Sequence, residues 1–164
     1  MEESRHISSI DSLKSIIAFI KLRVSNNEFE VLYEKGLNDN TLDNFVEGIY
    51  YDYSKSRIRK LSFKINPDSM GEWKTIKITS NELNTVLKAD WKYSLKNYSS
   101  KFFIFSCLLG TTALYEIHYP MNQNEVEKYL KNGEIFLDKL YTEINMKSPM
   151  NVKRKIEIQQ SKSR

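Results

Sequence analysis

Phe102-Phe103-Ile104-Phe105-Ser106-Cys107-Leu108-Leu109 is an unbroken apolar run, bounded by Ser99-Ser100 before it and Gly110 after it. Its length and its aromatic content read as a buried strand rather than a helix. From Leu114 the pattern alternates, with Tyr115, Ile117 and Tyr119 on one face and Glu116 and His118 on the other, so the two segments predict a hairpin. Pro120 stops the second strand. Asn122 and Glu125 form a capping pair for a long C-terminal helix, whose buried face is Val126, Leu130, Phe136, Leu137, Leu140, Tyr141 and Ile144. Gly133 is a soft spot in that helix, and Lys147 and Pro149 end it. A hairpin that runs into a helix is an α+β arrangement.

Upstream of the run, Thr79-Ser80-Asn81-Glu82 has the form of a capping box. Leu83, Val86, Leu87, Trp91, Leu95 and Tyr98 follow at helical spacing, which predicts a second helix with that stripe buried. Earlier still, Leu61, Phe63 and Ile65 alternate with Lys60, Ser62 and Lys64. Asn66 to Gly71 is a turn and Trp73 to Ile78 a partner strand, giving a first hairpin. Leu42, Phe45, Val46, Ile49, Tyr50 and Tyr53 are spaced as a short helix, although Gly48 and Ile49-Tyr50-Tyr51 suit a strand. Glu28 to Glu34 alternates, with Phe29, Val31 and Tyr33 inward and an acidic outer face, and a turn at Asn38-Asp39-Asn40 follows. Residues 9–24 are an amphipathic helix with Ile10, Leu13, Ile16, Ile17, Ile20 and Val24 on one side and Ser9 or Asp11 as its cap. The sum is a single α+β domain over residues 1–146. Its antiparallel or mixed sheet has about five strands flanked by three or four helices.

Composition limits the function classes. The 164 residues are 40% hydrophobic and 28% charged, enough for a core without covalent staples. One cysteine excludes an intramolecular disulfide and a cysteine zinc cluster, and suits a reducing cytosol. The N-terminal residues lack the basic and apolar blocks of a signal peptide, and the longest uncharged stretch, Phe102–Tyr115, is too short to span a bilayer. The expectation is a cytoplasmic protein with no membrane association. The net charge of +4 is unevenly placed. Residues 147–164 hold six basic residues and one acid, net +5, while the remaining 19 basic and 20 acidic residues leave the body at −1. A basic tail of that kind attracts nucleic acid only weakly and without sequence preference. The tail is expected to be solvated, with Val152, Ile156 and Ile158 forming at most a weak edge strand.

No arrangement of residues announces catalysis. His6 and His118 are the only histidines; the first is expected in a frayed terminus and the second on the exposed side of its strand beside Glu116. No segment offers three or four zinc ligands at tight spacing, and the glycines are single, so neither a metal nor a phosphate-bound cofactor is expected. Cys107 sits in the apolar run, a setting that raises a thiol's pKa and blunts it. What stands out is aromatic content: ten Tyr, eight Phe and two Trp. Tyr and Trp join an apolar body to a polar tip, as interfaces favour. The adjacent residues Tyr50, Tyr51 and Tyr53 are expected to expose at least one ring. With Glu28, Glu30, Glu116 and His118 they are the candidate partner-binding residues.

The order of elements from Thr79 to Asn145, with a helix ending near Trp91–Tyr98, the hairpin Phe102–Tyr119, the Tyr119-Pro120 exit and the helix from Glu125, resembles the fold of type III secretion chaperones and the similar YbjN-like regulators. That resemblance implies a non-enzymatic homodimer that binds an extended segment of another protein. The sequence alone equally suits an immunity or antitoxin protein that shields or neutralises a toxin or secreted effector. The competing class is a single-stranded nucleic-acid binder that uses Lys60, Lys64, Lys74 and Lys77 with aromatic platforms.

Overall fold

A computed structural model describes residues 4–38, 41–110, 114–147 and 151–160. The turn expected at Asn38-Asp39-Asn40, the helix stop at Pro149 and the tail residues Lys162 and Arg164 lie partly or wholly outside them. The chain divides into two compact units, residues 1–76 and 77–164, each built on its own antiparallel sheet. The α+β class holds, but the expectation of one sheet is corrected to two, of five and four strands.

In the first unit, β1 (Ser4–Ile7) and α1 (Ile10–Ser25) precede the meander β2 (Phe29–Leu37), β3 (Leu42–Asp52), β4 (Arg57–Lys64) and β5 (Met70–Ile76). The strand order is β1-β5-β4-β3-β2. His6 is therefore in a paired strand opposite Glu72, not in a frayed end. Ser9 caps α1 by accepting from the Ser12 amide at 3.1 Å. Leu13, Ile16, Ile17 and Ile20 of α1 are buried with Phe29, Val46, Tyr50, Leu61, Phe63 and Trp73 of the sheet. Each such side chain contributes roughly 1.5–3 kcal/mol by leaving water.

The helix expected around Leu42–Tyr53 is instead β3, a central strand paired on both sides. Of the three rings of which at least one is expected to be exposed, Tyr50 and Tyr51 are both 0% exposed and Tyr53 alone is partly exposed. Adjacent strand residues point to opposite faces, and a central strand can bury both. Gly48 explains itself here. A Cβ on it would fall 2.3 Å from the Tyr50 hydroxyl, because the Tyr50 ring lies across Gly48 to reach Glu34, the residue paired with Gly48 on β2. In β2 a register shift between Val31 and Tyr33 departs from simple alternation and buries Leu32.

The second unit contains β6 (Leu83–Ala89), β7 (Tyr93–Tyr98), β8 (Phe102–Leu109) and β9 (Tyr115–Pro120), in that spatial order, then α2 (Gln123–Asn132) and α3 (Glu134–Asn145). The predicted hairpin is β8–β9. The helix expected after Thr79 is absent. The capping box forms, but it closes only one 3₁₀ turn, Ser80–Glu82, and the chain continues as the β6–β7 hairpin. That helix was one of the elements behind the chaperone resemblance; the β8–β9 hairpin and the helical C-terminal region are present. The long C-terminal helix is likewise two helices, broken where Gly133 adopts φ 66°, a conformation natural to glycine. The Asn122–Glu125 capping box forms as read.

Leu137, Leu140 and Ile144 of α3 pack on Tyr93, Leu95, Phe105, Cys107 and Ile117, with Val152 from the C-terminal segment in the same core. Leu130, expected in that core, is 71% exposed on α2. Cys107 is buried as expected, and burial first, then Glu116, pushes its thiol up to about 12.

Candidate functional site

The candidate residues fall into two groups. Glu28, Glu30, Tyr50, Tyr51 and Tyr53 meet where β2 begins and β3 ends, because Glu30 pairs with Tyr51 and Val31 with Tyr50. Their polar tips are engaged with neighbouring side chains: the Tyr53 hydroxyl donates to Glu30 at 2.8 Å, the Tyr50 hydroxyl to Glu34 at 2.7 Å, and Arg23 holds Glu28 at 3.1 Å. Burial, with the Glu34 carboxylate next, pushes the Tyr50 phenol far up, so it stays a neutral donor. The next strand continues the pattern, with Asp52 bonded to Arg57 and Ser54, and Glu47 to Lys60 at 3.3 Å. This arrangement fixes a sheet edge.

Glu116 and His118 are on β9 in the second unit. His118 is not on an open face: it pairs with Ser106 across the ladder, and its Nδ1 shares a 2.7 Å hydrogen bond with the Ser106 hydroxyl. Its Nε2 lies 3.6 Å from Glu116. Burial lowers the imidazole pKa, with Lys96 acting in the same direction and Glu116 opposing, so the ring is held towards its neutral form. Serine, histidine and glutamate in a row invite comparison with a hydrolytic triad. Ser106 is only 1% exposed at the centre of the sheet, where no substrate carbonyl reaches its oxygen. Among the described residues no group of three or more His, Cys, Asp or Glu is placed to hold a metal ion, and no helix is long and apolar enough to cross a membrane.

One feature escapes the sequence reading, and a second is legible there only as a weak edge strand in a solvated tail. The first is Trp91. It sits between β6 and β7 at φ 64°, a rare conformation for a bulky side chain, with the Lys92 amide bonded to Ala89 O across the turn. It is 81% exposed rather than part of a buried stripe. Leu114, 56% exposed, leads into β9 at the same end of this sheet, since Tyr93 pairs with Cys107 and Leu109 with Tyr115.

The second is the C-terminal segment. Residues 151–160 dock on the second unit, at β9 through Arg154 and Ile156 and at Ile78–Ser80 through Gln159, with a weak edge contact at Ile156 as the sequence allows. Val152 is 3% exposed. Arg154 donates to Pro120 O at 3.1 Å and to Glu125 at 2.7 Å, and its guanidinium lies over the Tyr119 ring. The Ile156 amide donates to His118 O at 2.9 Å, and Gln159 exchanges backbone bonds with Ile78 and Ser80. Glu125 thereby has two tasks, since the same carboxylate oxygen also accepts from the Asn122 amide in the capping box. The alternation Val152, Arg154, Ile156, Ile158 was the available signal. No protein-family model, no curated protein and no solved structure matches the chain.

Proposed function

We propose that the chain is a non-catalytic domain that binds another protein, shielding or neutralising it in the manner of a secretion chaperone or an immunity protein. Trp91 is the observation that carries this reading. A tryptophan held almost fully exposed on a two-strand tip, at a backbone conformation that costs free energy for its type, serves the fold poorly. It serves an interface well, because tryptophan is the most enriched hot-spot residue. Leu114 extends the apolar surface at that end of the sheet.

Two further observations support a binding rather than a catalytic role: the burial of Ser106 and the engagement of His118 between neighbours. The nucleic-acid reading loses support on the first sheet. There Lys60 is paired with buried Glu47 and Lys74 with Glu72 at 2.9 Å, so those lysines are already partnered before any phosphate arrives.

The test compares proteins retained from a host lysate by the wild-type chain and by Trp91→Ala, followed by titration of the purified retained protein. A hot-spot tryptophan implies at least about 30-fold weaker binding for Trp91→Ala. Equal affinity for the two chains, or binding of single-stranded nucleic acid with a steep salt dependence, would overturn the proposal.

A further inference from the structure

The C-terminal segment seats on β9 incompletely. Its contact with His118 is an isolated antiparallel bridge through Ile156, with no ladder to either side, although β9 runs for six residues, Tyr115–Pro120. The neighbouring strand β8 pairs with all six of those residues, so β9 itself is regular. What is short is the partner. A longer or better matched strand would bond further along the same edge.

The seat has a definite chemistry. Arg154 occupies a site made of the Glu125 carboxylate, Pro120 O and the Tyr119 ring face. The Tyr119 hydroxyl donates to the second oxygen of Glu125 at 2.7 Å and so fixes the carboxylate. Two residues along, Ile156 bonds His118 O. Extending that register by two more residues sets Glu116 opposite position 158. Glu116 is half exposed and lies 3.6 Å from a histidine held towards its neutral form. This chain carries Ile158 at that position of the sequence and forms no ladder with Glu116, its next backbone bonds being those of Gln159 with Ile78 and Ser80. A strand that kept the register would set its own residue opposite Glu116, and a cation there would complement the carboxylate where an isoleucine does not.

We infer that the outer edge of β9 accepts an extended basic segment of another protein, for which residues 151–160 are the resident placeholder. This inference rests on the protein-binding reading and names the partner's chemistry. The segment adds as an antiparallel strand, with arginine in the place of Arg154, an apolar residue in the place of Ile156, and arginine or lysine opposite Glu116. Placeholder and partner compete for one seat, so weakening the first strengthens the second.

The test uses the full chain and two fluorescent peptides spanning residues 151–160, one unsubstituted and one carrying Ile158→Arg. Arg154→Ala in the protein removes the placeholder's anchor and should bind the Ile158→Arg peptide at least about ten-fold tighter than wild type, a difference anisotropy resolves readily. The Ile158→Arg peptide should bind more tightly than the unsubstituted one, and Glu116→Gln in the protein should erase that preference. If Arg154→Ala does not fold, Ile156→Pro removes the amide that bonds His118 and serves the same purpose. A folded, placeholder-weakened chain that binds neither peptide would overturn the inference, as would a preference for Ile158→Arg that survives Glu116→Gln. Either failure leaves the wider reading standing if Trp91→Ala still releases the retained protein. Loss of the Trp91 effect with peptide binding intact would condemn that surface alone.

Discussion

The two tryptophans report on two different kinds of construction. In the first unit Trp73 is packed against Phe29 and Tyr50 beneath α1, with Arg59 4.4 Å over its ring. The polar groups around this core are tied to one another in internal pairs such as Tyr50–Glu34 and Lys60–Glu47. In the second unit Trp91 points out of a turn, and the backbone of the segment beside the outermost strand pairs with it at one isolated bridge. The first unit ties its tryptophan and many of its polar groups inward, although Leu22 and Phe45 remain exposed on it. The other leaves apolar surface and an under-used edge, which is why the proposed binding surfaces are placed there.

The contrast is broken most directly by exchanging the tryptophans for alanine. Trp73→Ala should destabilise the protein by about 3–5 kcal/mol, the range for a buried aromatic. Trp91→Ala should change stability by less than about 0.5 kcal/mol, the surface value. Chemical denaturation of both decides it, and similar losses would mean that Trp91 is structural. A leucine pair sharpens the same comparison within the second unit. Leu140→Ala should cost about 2–4 kcal/mol and Leu130→Ala almost nothing, since only Leu140 is in the core.

Those contrasts also show what the sequence could convey. The α1, β4–β5 and β9 segments were legible because their buried faces keep the period of the element they form, and β8 because its unbroken apolar run is short, aromatic and bounded by Ser99-Ser100 and Gly110. The β3 segment was not, because Val46 to Asp52 are all buried, so alternation is lost, while Leu42, Phe45, Val46, Ile49, Tyr50 and Tyr53 fall at helical steps. In β6 the reason is different. A register shift between Thr85 and Leu87 inserts Val86 into the strand, so Leu83, Val86 and Leu87 fall three and four apart and imitate a helix. The genuine capping box at Thr79 reinforced the error, and the tight turn at Asp90-Trp91 lacks the glycine or asparagine that announces a hairpin.

The site was less legible still. Tyr50, Tyr53, Glu28 and Glu30 do come together, but as internal pairs, and burial of Ser106 beside His118 depends on a cross-strand register that no local pattern reveals.

Gly48→Ala tests the first unit where the Tyr50 ring crosses the backbone of β3. The added methyl meets the Tyr50 ring, which must leave Glu34, so a loss of about 1–3 kcal/mol is expected, and a neutral result would show that ring to be free to move. The smallest effect concerns pH in the second unit. Burial holds His118 below its ordinary value, so the native ring binds fewer protons than the unfolded one. Its contribution to stability is therefore present above about pH 6.5 and is lost as the pH falls from there towards the folded value. Denaturant midpoints between pH 7.5 and 5 should drop less steeply for His118→Gln than for wild type; equal slopes would place the titration elsewhere.

The most direct test of the proposed binding surface uses Trp73→Phe, which leaves Trp91 as the sole tryptophan. Its emission should be that of a solvent-exposed indole, and iodide should quench it freely. Adding the purified protein that wild type retains should shift the emission to shorter wavelength and protect it from iodide, in proportion to complex formed. Full binding of that protein with the emission and quenching of Trp91 unchanged would contradict the account.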